Sequence, residues 1–163
     1  MATLLIAWHS RTGTAEALAA AVAEGAHETG DADVMLVAAD AVTAAVMRAA
    51  NGYVFVCPEN LASMSGAMKE MVDRLYYPAL GQIEGRAYAL VIAAGTDGSG
   101  AVRQWQRIAT GWRLKAVAEP LVVRTGADTP ETILAAKTVP AADLLRAREL
   151  GAAMAAGLAM GIF

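Results

Sequence analysis

The sequence predicts an α/β fold, a doubly wound parallel sheet of five strands, on three observations. Short apolar runs alternate with longer helical segments along the chain, and those runs are unbroken rather than alternating, as in strands buried on both faces. The segments after the first, third and fourth runs are rich in glycine and hydroxyl side chains. With 163 residues, no linker-like tract and no internal repeat, the chain is expected to form one domain spanning residues 1–163.

Leu4 to Trp8 reads as the first strand. Thr14 to Thr29 follows as a helix, with Leu18, Val22 and Ala26 on one stripe and Gly30 as its stop. Val34 to Ala38 is the second strand, and Asp40 to Ala50 a short helix ending before Asn51-Gly52. Tyr53 to Cys57 is the third strand. Gly66 to Leu75 carries Met68, Met71, Val72 and Leu75 at helical spacing. Tyr88 to Ala94 is the fourth strand, followed by a helix from Gly100 to Lys115 with Trp105, Ile108 and Trp112 on one stripe. Pro120 to Val123 is the fifth strand, and Pro140 to Gly157 the last helix, with proline near its start. A further helical start at Thr129-Pro130-Glu131 lies inside the last connection. Strands alternating with helices imply right-handed crossovers that cover both faces of the sheet.

Apolar residues make up 56% of the chain, and alanine supplies 39 of them. The longest uncharged apolar stretch, Leu150 to Phe163, has 14 residues, against the roughly 20 that a membrane span needs. No span is expected, and this stretch is the best sequence hint of a subunit interface, hence of a homodimer or higher homo-oligomer. The net charge of −3 argues against a nucleic-acid partner. Cys57 is the single cysteine, which excludes an intrachain disulfide and a CxxC site. The start lacks the basic region of a secretion signal, so a cytoplasmic location is expected.

Ligands of such sheets bind beyond the carboxyl ends of the strands, near the switch point in strand order. After the first strand stands His9-Ser10-Arg11-Thr12-Gly13-Thr14, a hydroxyl-rich turn opening a helix. Free N–H groups, the positive end of the helix dipole and hydroxyl donors together suit a phosphate monoester. An ordinary capped turn has the same composition, and both readings stay open here.

Ser10-Arg11-Thr12-Gly13-Thr14 resembles the phosphate-binding loop of the flavodoxin superfamily, roughly T/S-x-T-G-x-T. Pro58-Glu59-Asn60-Leu61-Ala62-Ser63-Met64-Ser65-Gly66, continuing through Lys69, Asp73 and Arg74, is similar to the second loop and helix of its NAD(P)H-dependent flavin or quinone reductase branch. Ala94-Gly95-Thr96-Asp97-Gly98-Ser99-Gly100 stands where that family has its third, glycine-rich loop. The resemblance departs at Ala15, where the last phosphate-loop hydroxyl would fall unless Thr14 takes its role. It departs again at Asn60 and Leu61, where an aromatic commonly packs on the flavin ring.

The resemblance implies a flavodoxin-like sheet with strand order 2-1-3-4-5. It also implies FMN, with its phosphate on Ser10, Arg11, Thr12, Gly13 and Thr14. Its ring would lie between Pro58, Glu59, Asn60, Leu61, Ala62, Ser63 and Met64 on one side and Gly95, Thr96, Asp97 and Gly98 on the other. NAD(P)H would be the electron donor and a quinone or flavin the acceptor, with no catalytic side chain required. The alternatives are an electron-transfer flavodoxin and a flavodoxin-like interaction module without FMN. His9 reads as a turn residue or as a proton donor at the site mouth. Cys57, Trp105 and Trp112 read as core, His27 as surface, and no metal site is expected.

Overall fold

A computed structural model describes residues 1–163. Strand β1 (Ala2–Trp8) lies between β2 (Ala32–Ala38) and β3 (Gly52–Asn60), and β3 pairs in parallel with β5 (Ala87–Ala94). Beyond β5, the fifth position is filled by two short pieces, β6 (Lys115–Ala116) and β7 (Leu121–Arg124). Both run parallel to β5, β6 beside Ala87 and Tyr88 and β7 beside Val91 to Ala94. With the two pieces counted as one strand, and the short β4 (Ser63–Met64) that pairs only with β3 set aside, the five main strands stand in the expected order 2-1-3-4-5. Val117 to Pro120 separates the two pieces, and a proline there cannot donate to the ladder.

Unbroken apolar runs become strands here because each strand feeds two cores. Along β1, Leu4 and Ile6 point to one face and Leu5 and Ala7 to the other, all fully buried. One face is covered by α2 (Ala44–Ala49), α3 (Gly66–Ala79) and α4 (Ser99–Gly111), which bury Met47, Met68, Met71, Leu75 and Trp105 against Tyr53, Phe55 and Leu90. Trp105 stacks on Phe55 at 4.3 Å, and its indole N–H points at the Cys57 sulfur. Trp112 donates to the Tyr76 carbonyl. Both tryptophans are therefore core residues.

The other face carries α1 (Thr14–Thr29) and α6 (Ala141–Ala159), which touch each other more extensively than any other pair of elements. A Cβ on Gly25 of α1 would stand 1.9 Å from the Arg148 carbonyl oxygen of α6, and one on Gly151 of α6 would stand 1.9 Å from that of Val22. Two glycines thus let the helix backbones touch, and the surrounding alanines keep them close. This accounts for part of the alanine-rich composition. The C-terminal segment is partly used within the chain as well: Leu158 packs on Gly52 and the Phe163 ring on Gly157, while Met160 and Ile162 remain exposed.

Several boundaries differ from the sequence reading. The segment expected as one helix from Asp40 to Ala50 is a 3-10 turn at Ala39–Ala41 followed by α2, whose start is capped by the Thr43 hydroxyl. Helix α3 continues past Leu75 through Tyr76, Tyr77 and Pro78, and ends one residue after the proline, which has no N–H to give to the helix ladder. Helix α4 stops at Gly111, with Arg113 at φ 56°, which frees Lys115 to pair as β6. Cationic side chains hold the short elements: Arg86 donates to the Arg48 and Ala50 carbonyls at the end of α2 and to the Tyr53 hydroxyl, and Arg74 donates to Ala39 and Val42. The remaining helix, α5 (Pro130–Leu134), lies in the last connection where Thr129-Pro130 signals a start.

Candidate functional site

The segments that follow the carboxyl ends of β1, β3, β5 and β7 enclose a cavity of about 540 Å³, within the usual range for small-molecule sites. Its first wall is Ser10, Arg11, Thr12, Thr14 and Ala15, and its second Pro58, Glu59, Asn60 and Leu61. Its third is Ala93, Ala94 and Gly95, and its fourth Thr125, Ala127, Ile133, Leu134 and Lys137.

At the first wall, the Ser10 hydroxyl accepts the Gly13 N–H at 3.1 Å, and Gly13 itself sits at φ 104°. That left-handed conformation, open to glycine, turns the chain directly into α1 at Thr14. No side chain caps α1, so its first-turn N–H groups and dipole end are left for something else. Thr14 is 5% exposed, and its Oγ1 is buried with no hydrogen-bond partner, the one such side-chain atom in the structure. Leaving a buried hydroxyl unpaired costs about 1–3 kcal/mol. An anion with several acceptor oxygens, seated at this helix start, would relieve that cost. Ala15 also lines the cavity, beside Thr14.

The second wall is a hairpin where the sequence reading has a loop. Strand β3 runs on through Pro58 to Asn60, turns at Leu61 and Ala62, and returns as β4 (Ser63–Met64). Leu61 and Ala62 both have positive φ, 51° and 60°, the geometry of a two-residue turn that ordinarily takes Asn-Gly. The turn is held from outside: Gln104 Oε1 accepts from the Ser63 hydroxyl and the Met64 N–H. The Glu59 carboxylate accepts from the N–H groups of Gly98 (2.9 Å) and Ala101 (3.0 Å), capping α4. Gly100 permits this docking, since a Cβ there would stand 2.1 Å from the Ala62 carbonyl oxygen. Glu59→Ala is expected to lower stability by about 2 kcal/mol and Glu59→Gln by less, measured by urea unfolding; equal stability for all three would contradict the capping role.

Gly95 reaches the cavity from the third loop, whereas Thr96, Asp97 and Gly98 do not line it. The Gly98 N–H is engaged by Glu59, and the Asp97 carboxylate accepts from the Ser99 hydroxyl and N–H, which hold its carboxyl below the usual range. Ala62, Ser63 and Met64 also lie outside the lining, on the side of the hairpin facing α4, and Gly13 acts through its turn.

The fourth wall was not legible as a site. The Thr125 and Gly126 N–H groups bond to the Ala94 and Gly95 carbonyls, which bring the last connection over the cavity. Helix α5 starts with a reciprocal Thr129/Thr132 cap and buries none of its residues; Ile133 and Leu134 remain exposed at the rim. The only advance signals were its helical start and its length, since long connections are often functional.

Other candidates fall elsewhere. His9 Nδ1 lies 2.7 Å from the buried Ser65 hydroxyl, outside the cavity lining. Burial foremost, and then Arg11, lower its pKa below the usual value, against an opposing pull from Asp40. Burial pushes the Cys57 thiol up to about 11, so it stays unreactive. Lys69 and Asp73 form an exposed pair on α3, and Arg74 holds the 3-10 turn. No three potential metal ligands cluster, and no helix is long and apolar enough to cross a membrane.

Topology and cavity position define a flavodoxin-like protein, and solved structures share the fold. The flavodoxin, WrbA-like protein from Agrobacterium tumefaciens superposes with a TM-score of 0.76 at 19% identity, covering 99% of each chain. Flavodoxin 1 from Bacillus cereus gives 0.78 at 16% identity, over 96% of this chain and 99% of that one. A flavodoxin from the domain Archaea gives 0.76 at 16% identity, over 96% and 98%. No curated protein matches the sequence. The family model for NADPH-dependent FMN reductase matches residues 38–128, more than half of the chain, and the chain belongs to that family.

Proposed function

We propose that the protein is an FMN-dependent NAD(P)H oxidoreductase that passes two electrons to a quinone or flavin acceptor. The observation that carries this reading is the unpartnered, buried hydroxyl of Thr14, a residue that stands at the uncapped start of α1 and lines the cavity. Ser10, Arg11, Thr12, Gly13 and Thr14 hold the phosphate, and Pro58 to Leu61 and Gly95 flank the ring. FMN, when bound, supplies the electron transfer. The chain supplies position: Glu59 fixes the hairpin to α4, and the Thr125 and Gly126 bonds fix the last connection to the third loop. Exposed Leu61, Ile133 and Leu134 at the opening give a flat apolar acceptor a surface to rest on.

We further propose a cytoplasmic homodimer or higher homo-oligomer, with exposed Met160 and Ile162 among the contacting groups; light scattering that gives the mass of one chain would refute the oligomer. The activity is tested by reconstituting the protein with FMN and following NADPH and NADH oxidation with a set of quinones and with added flavin. Turnover well above that of free FMN is expected. Turnover equal to free FMN with every acceptor would overturn the reading.

A further inference from the structure

We infer that Lys137, in the connection between α5 and α6, makes this site select a phosphorylated flavin over an uncharged one; the inference rests on the FMN site proposed above. Two independent observations meet at this residue.

The first is position. Next to the main cavity lies a smaller one of about 140 Å³, and only Thr14, Thr125 and Lys137 line both. Lys137 therefore stands at the end of the site where α1 starts and where the Thr14 hydroxyl has no partner. The second is its own bonding. The ammonium of Lys137 donates to the Ile133 carbonyl at 2.8 Å and to that of Ala135, and it forms no ion pair with a carboxylate. An ammonium has three N–H donors, so one is left. Two carbonyls give it a fixed place without neutralising its charge. Arg11, the other cation lining the cavity, is exposed and makes no hydrogen bond or ion pair that would fix it.

A half-buried positive charge that lines the same cavities as an unpaired hydroxyl at a helix N-terminus complements a phosphate dianion, and it offers the neutral ribityl end of riboflavin only a weaker hydrogen bond to a hydroxyl. Because the same ammonium holds the last turn of α5, phosphate binding also steadies the wall that carries Ile133 and Leu134. Sequence alone gives no sign of this, since Lys137 is 123 residues from Thr14.

The test is titration of the purified full-length protein, and of Lys137→Gln and Lys137→Arg, with FMN and separately with riboflavin at one ionic strength. Wild type is expected to bind FMN much more tightly than riboflavin. Lys137→Gln should weaken FMN by about tenfold or more and leave riboflavin within about twofold, while Lys137→Arg keeps most of the preference. Equal weakening of both flavins would show a purely structural role through α5 and overturn the inference, as would an unchanged FMN affinity. A wild-type protein that binds neither flavin would instead overturn the site itself. Lys137 is half-buried and belongs to neither core, so the substitution leaves both cores intact.

Discussion

Gly151→Ala is expected to destabilise the protein by about 3 kcal/mol, although helix propensity alone favours the change by about 1 kcal/mol. The opposite sign comes from packing. The new methyl would stand 1.9 Å from the Val22 carbonyl oxygen, a backbone atom that cannot rotate away, so α6 would have to lift off α1. That helix pair covers the sheet face built from Leu4, Ile6, Val54, Val56 and Val91. Gly25→Ala should act in the same direction through the Arg148 carbonyl, and the double substitution should cost less than the sum, because one separation relieves both clashes. Thermal unfolding checks this: a loss of about 6–12 °C in Tm is expected for Gly151→Ala. A Tm at or above that of wild type would mean that propensity wins and that the helices are not in backbone contact.

Thr14→Val should split stability from binding. Valine keeps the volume and branching of threonine and removes the unpaired hydroxyl, so the protein without flavin is expected to gain about 1 kcal/mol. On the proposed site, the same change removes a donor to the phosphate and should weaken FMN binding by about tenfold or more. Residues kept for packing do not behave this way, since their loss lowers stability first. Urea unfolding without flavin, together with an FMN titration, reads both effects. A destabilised variant with unchanged FMN affinity would make Thr14 a structural residue.

The strands and the large helices were legible because burial on both faces leaves unbroken apolar runs, and because Leu18, Val22, Met68, Met71 and Trp105 recur at helical spacing. The first wall was legible for a local reason: hydroxyls and Gly13 are adjacent in sequence and form a turn by themselves. What was not legible depends on contacts between distant segments. The hairpin was hidden because Leu61 and Ala62 take positive φ without the usual Asn-Gly, held there by Gln104 and by the close approach of Gly100. The part of Glu59 could not be read from the motif, since its partners are main-chain N–H groups about 40 residues away. Lys69, Asp73 and Arg74 helped to carry the family resemblance and yet lie outside the cavity lining, where they pair on α3 and brace the 3-10 turn. The closely packed face of α6 was masked by alanines on every side of the helix. Part of the excess of apolar residues therefore lies in a helix pair in backbone contact, and the rest in strands buried on both faces.

The central claim is that the cavity holds FMN with its phosphate at the start of α1. Amide resonances of labelled protein, followed during addition of FMN, test it most directly. The claim predicts saturable shifts that are largest at Arg11 to Ala15, with further shifts at Asn60, Leu61 and Gly95. Unchanged resonances from Arg11 to Ala15 at saturating FMN, or shifts confined to another surface, would contradict it.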